Sequence, residues 1–132
     1  MSSNPYWLTV EEVVTIHDDL IREFGGSLGV LNEGALESTL SRPKQLAYYQ
    51  SESTIYELAA AYGYGLSKSH CFLDGNKRTA LDVIVVFFLR NGYSLNASEV
   101  EAVEVIVKVA TDKLYEIELA NWIASNSSSE NQ

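Results

Sequence analysis

The sequence predicts an all-α fold, a single compact helical bundle around a central buried helix at about 76–91. Apolar residues recur at helical rather than alternating spacing along most of the chain. Capping boxes and glycine stops punctuate that pattern. The stretch Ala80 to Leu89 is apolar nearly all round, interrupted by Asp82, as in a helix enclosed by its neighbours. A chain of 132 residues suits one domain with a proper core, expected over 1–125, and the polar run at 126–132 reads as a disordered tail.

Thr9-Val10-Glu11-Glu12 is a capping box that starts the first helix, and Gly25-Gly26 ends it. Val10, Val13, Val14, His17, Leu20, Ile21 and Phe24 share one face, which makes His17 a core histidine bonded to nearby backbone. A glycine-rich loop is expected at 25–32. A short helix from about 33 to 41 is expected to stop at Arg42-Pro43, because a residue before proline resists the α region. Residues 43–52 read as irregular, with Tyr48 and Tyr49 lying on the surface. A helix follows at about 54–69, where Gly63 and Gly65 allow close packing. After the central helix, Gly92 is the stop, Tyr93–Leu95 an extended link and Ser98 with Glu101 a further capping box. Two more helices are expected at about 99–110 and 112–125, the second carrying Leu114, Ile117, Leu119 and Trp122.

A net charge of −9 implies a surface that repels nucleic acid and anionic membranes. The single cysteine, Cys71, rules out an internal disulfide and any multi-cysteine zinc site. With no basic-then-apolar leader and no apolar run of membrane-spanning length, a cytoplasmic setting is expected.

Against the acidic background, the run from His70 to Thr79 concentrates an imidazole, the Asp74 carboxylate, the Gly75 turn, the Asn76 amide and the cations Lys77 and Arg78. It links one helix to the N-terminus of the next, where free N–H groups and the helix dipole attract anions. Two cations sit badly with that dipole unless an anion is expected there. Singly, each residue has an ordinary reading: His70 a helix-end histidine, Asp74-Gly75-Asn76 a turn and cap, Lys77 and Arg78 solvated charges. The tripeptide also begins like a calcium loop, but the remaining oxygen ligands are missing. Tyr48, Tyr49, Tyr62 and Tyr64 read as packing rather than as nucleotide-stacking residues.

Taken together, the run resembles the signature of the Fic/Doc family, His-x-Phe-x-acid-Gly/Ala-Asn-x-Arg, at His70, Phe72, Asp74, Gly75, Asn76 and Arg78. Lys77 after Asn76 is similar to the Doc (death-on-curing) branch. Fic AMP transferases usually carry glycine there and a second arginine where this chain has Leu81. Cys71 replaces a frequent proline, and Leu31-Asn32 stands where many relatives have Arg-Asp. Gly25-Gly26, Gly34-x-Leu36-Glu37-Ser38 and Arg42-Pro43 extend the resemblance over roughly residues 8–125.

The resemblance implies a Doc-like toxin that transfers the ATP γ-phosphate to a hydroxyl of a protein, with the elongation factor that delivers aminoacyl-tRNA as target. A Fic-type AMP transferase and a non-catalytic binding module are the alternatives. His70 would be the general base and Asp74 the Mg²⁺ ligand. Gly75, Asn76, Lys77 and Arg78 would hold the phosphates, and Phe72 would anchor the loop. The implied cofactors are ATP and Mg²⁺. A small antitoxin is the implied partner: Ser53 to Glu57 has the spacing of the family's in-chain inhibitory motif, but Leu58 departs from it.

Overall fold

The computed structural model describes residues 5–130. Six helices run α1 Val10–Phe24, α2 Glu33–Tyr49, α3 Ile55–Lys68, α4 Asn76–Arg90, α5 Glu99–Ala110 and α6 Glu116–Ser125. A two-stranded antiparallel ribbon, β1 Tyr93–Leu95 and β2 Ser127–Ser129, joins the end of α4 to the end of α6. The all-α expectation therefore holds, and among the described residues no helix is long and apolar enough to cross a membrane.

α3 and α4 form the centre and pack most extensively on each other; α2 and α6 flank α3, and α1 and α5 flank α4. Phe87, Phe88, Ile84 and Val83 of α4 are fully buried, as are Tyr62 and Ala59 to Ala61 of α3. The helices cross closely at Gly63, where an added methyl group would overlap the Ile84 side chain. Tyr62 belongs to the core: the Leu8 N–H donates to its hydroxyl at 3.1 Å, and burial pushes its pKa up to about 12. The Thr9–Glu12 box is present, and Gly25 closes α1 at φ 90°.

The structure departs from the sequence reading in four places. α2 does not stop at Arg42-Pro43 but continues to Tyr49 with a buried Pro43 inside it. Proline in a helix interior costs about 3 kcal/mol. Burial of Leu36, Leu40 and Pro43 against the core offsets a cost of that size, at roughly 2 kcal/mol for each large apolar side chain. Residues 43–49 are thus helical rather than irregular, and Tyr48 and Tyr49 stand out from the last turn, each 80% exposed.

α6 begins at Glu116, not 112, because Asp112 takes a left-handed conformation (φ 62°) that ends α5 and turns the chain. Ser98 caps α5 by accepting from the Glu101 N–H, but the Glu101 carboxylate accepts from Trp122 Nε1 instead of reaching back. Finally, Ser127–Ser129 pairs with Tyr93–Leu95 in the stretch expected to be a structureless tail, since backbone pairing requires no apolar side chains. Positions 131–132 of that expected tail lie outside the described residues.

Candidate active site

The turn between α3 and α4 carries the signature. α3 ends at Lys68 with Ser69 as its C-cap, and α4 begins at Asn76 after Gly75, the N-cap, which lies in the left-handed region at φ 76°. The first hydrogen bond of the α4 ladder runs from the Thr79 N–H to Gly75 O, so the N–H groups of residues 76–78 precede it. They point toward the loop, at the positive end of the helix dipole.

Several contacts hold the loop against the body. Asn76, expected to offer an amide to phosphate, spends both ends of its side chain on Phe72: Oδ1 accepts from the Phe72 N–H at 3.0 Å and Nδ2 donates to Phe72 O at 2.9 Å. Phe72 is buried and stacks flat on the His17 ring, with centroids 3.9 Å apart. The preceding glycine-rich segment lies alongside: Leu31 and Asn32 N–H donate to Cys71 O, and the Leu73 N–H donates to Gly29 O. Cys71 is buried, which pushes its thiol pKa up.

His70, by contrast, is exposed and is itself held in left-handed backbone at φ 48°. It lines a cavity of about 380 Å³ together with Asp74, Gly75, Asn76 and Lys77 on one side and Lys68, Thr111 and Asp112 on the other. Lys68 and Asp112 form an ion pair across its rim. Asp74 Oδ1 accepts from the Gly75 N–H at 2.9 Å, while Oδ2 faces the Ser27 N–H at the longer distance of 3.4 Å. Among the described residues Lys77 makes no ion pair, leaving its ammonium available to an anion. Larger surface depressions of about 510 and 590 Å³ lie elsewhere, and His70 lines neither.

Arg78 is not brought into this cavity. Its guanidinium donates to Glu99 Oε2 at 2.8 Å, lies over the Phe24 ring at 4.5 Å and borders a second groove with Lys77, Leu81, Val103, Ile106 and Val107. Consecutive helical residues point about 100° apart, so Lys77 lies between the His70 cavity and this groove, whereas Arg78 is turned away from the cavity. Close by, burial raises the Asp82 pKa, Arg78 opposes that, and Glu99 and Glu23 add to it.

No pattern in the sequence pointed to the Glu99 contact with Arg78, nor to the Ser27 N–H facing Asp74 or the His17 ring stacked on Phe72. His17 is the core histidine that the apolar stripe implies, but its partner, the Asp74 carbonyl, comes from a residue 57 positions away.

An exposed imidazole, a lysine without an ion pair and the N-terminus of α4 thus meet around one cavity, at the positions that carry the signature. Residues 7–88 match the family model of the Fic/DOC family, and the chain belongs to the Fic/Doc family. Within it the similarity is to the Doc branch. The chain is 31% identical over 107 residues to the protein named Protein kinase doc of Escherichia phage P1, an alignment covering 81% of this chain and 84% of that one. It is 36% identical over 75 residues to Toxin Doc of Mycolicibacterium smegmatis, covering 56% of this chain and 58% of that protein.

Proposed function

We propose that this protein is the toxin of a toxin–antitoxin pair and a transferase that moves the γ-phosphate of ATP onto a hydroxyl of a protein target. The observation that carries the proposal is His70: an exposed imidazole at the wall of a cavity shared with Asp74, Gly75 and the unpaired Lys77. The similarity to proteins named Protein kinase doc and Toxin Doc supports the kinase-type reaction and the toxin role.

Phosphoryl transfer needs charge neutralisation and in-line positioning more than covalent chemistry. In the proposed reaction His70 takes the proton of the target hydroxyl as its oxygen bonds to the γ-phosphorus. The bond from that phosphorus to the β–γ bridging oxygen breaks, and ADP leaves with the electron pair. Lys77 and the N–H groups at the start of α4 offset the phosphate charge. Arg78 contributes only if it leaves Glu99.

Among the described residues no three ligating side chains gather into a metal site. Asp74 would hold a Mg²⁺ ion bound together with the nucleotide, and the ion would supply further charge neutralisation; the other carboxylate at the cavity, Asp112, is paired with Lys68. The proposed target is the elongation factor that delivers aminoacyl-tRNA, in the cytoplasm. The proposed partner is a small antitoxin whose C-terminal segment folds over residues 70–78.

Intact-mass measurement of the elongation factor after incubation with the protein, Mg²⁺ and ATP tests the reaction. A single phosphoryl adduct supports it, and an AMP adduct replaces it with nucleotidyl transfer. If no adduct forms and expression of the protein leaves bacterial growth unaffected, the enzymatic reading gives way to a binding module.

A further inference from the structure

The structure assigns His17 as the positioning residue that fixes the orientation of the Asp74–Gly75 peptide, and with it the contact between the Gly75 N–H and the Asp74 carboxylate. His17 is fully buried on α1. Its Nε2 lies 2.8 Å from Asp74 O, and its ring lies flat on Phe72. A carbonyl oxygen only accepts, so Nε2 carries the hydrogen. Nδ1 lies 3.2 Å from Asp18 Oδ1.

The peptide between Asp74 and Gly75 is planar and trans, so its C=O and N–H point in opposite directions. Holding the carbonyl inward on His17 therefore turns the Gly75 N–H outward, where Asp74 Oδ1 accepts it. Gly75 needs its left-handed φ to continue from that peptide into α4. A Cβ on Gly75 would come within 3.2 Å of Ile21 and 3.8 Å of the His17 ring, so the α1 face fits closely under this turn. Without the His17 donor, the carbonyl loses its protein partner, and rotation of the peptide toward solvent becomes the way to regain one. The contact stands on geometry alone; its consequence for phosphate binding rests on the function proposed above.

The test compares the full chain with His17→Leu, which keeps an apolar side chain but no donor, and with His17→Gln, whose amide nitrogen reaches the position of Nε2. In ligand-free protein, amide relaxation-dispersion spectra should show microsecond-to-millisecond exchange at residues 73–76 in His17→Leu and none in wild type or His17→Gln. Affinity for Mg·ATP, measured calorimetrically, should fall roughly tenfold in His17→Leu, the scale of one hydrogen bond, and be restored in His17→Gln. A merely structural histidine would lower thermal stability in both variants without moving these loop signals.

A folded His17→Leu variant with wild-type loop spectra overturns the inference and leaves the phosphate reading intact. Exchange in that variant, with no Mg·ATP binding even by wild type, upholds the positioning role and removes the phosphate reading. Should His17→Leu fail to fold, nitrogen-15 spectra of the wild-type imidazole decide: a proton on Nε2 supports the assignment, and a bare Nε2 overturns it.

Discussion

Replacing His70 by glycine should separate what this residue does for the reaction from what it costs the fold. Its backbone sits at φ 48°, a region in which a side chain bearing a Cβ is crowded. For an ordinary L-residue that conformation costs about 1–2 kcal/mol. Glycine escapes the crowding but gives up about 0.5–1 kcal/mol through its freer unfolded chain. The difference leaves His70→Gly more stable than His70→Ala by roughly 0.5–1 kcal/mol. Because the imidazole is exposed, little packing is lost in either variant. In a domain of this length that difference corresponds to roughly 2–5 °C in Tm. Both variants should lose about 10²- to 10⁴-fold in transfer rate, the usual worth of a general base. Calorimetric unfolding and a phosphoryl-transfer assay read the two effects separately. Equal Tm values for the alanine and glycine variants would refute the strained-backbone argument, and retained transfer would take His70 out of the chemistry.

Lys77→Ala should weaken Mg·ATP binding more than Arg78→Ala does, because Lys77 lines the His70 cavity and Arg78 is held by Glu99 and Phe24. Titration calorimetry checks the order, and an equal or larger loss in Arg78→Ala would show that Arg78 swings into the site. Asp74→Asn should raise the Mg²⁺ concentration needed for transfer, whereas full wild-type activity in excess chelator would exclude a divalent ion. The Thr9 backbone N–H and then Arg90 hold the Glu12 carboxyl below its ordinary value of 4.5. A carboxylate lowered in the folded state contributes stability above its unfolded pKa and loses it as pH falls through the folded one. Denaturant titrations should therefore show Glu12→Gln less stable than wild type at neutral pH and closer to it below about pH 4.5. Curves that stay parallel across that window would remove Glu12 from the acid response.

Features carried by nearest neighbours in the chain were legible in the sequence. The cap at Thr9, the stop at Gly25 and the all-round apolar character of residues 80–89 located α1 and α4, because capping and helical periodicity act within one or two turns. The run from His70 to Arg78 marked the candidate site for the same reason: its residues lie within nine successive positions. Tertiary structure decided what local preference could not. Pro43 is an unfavourable helix residue on its own, yet α2 passes through it because burial against the core outweighs the lost backbone hydrogen bond. The serines at 127–129 carry no apolar signal, and the β1 backbone alone made them a strand. Within the site, the sequence placed Lys77 and Arg78 side by side, whereas the helical turn of about 100° per residue sent one to the cavity and the other to Glu99. The hydrogen bond from His17 to the Asp74 carbonyl joins residues 57 positions apart, and only the packing of α1 beneath the loop brings them to 2.8 Å.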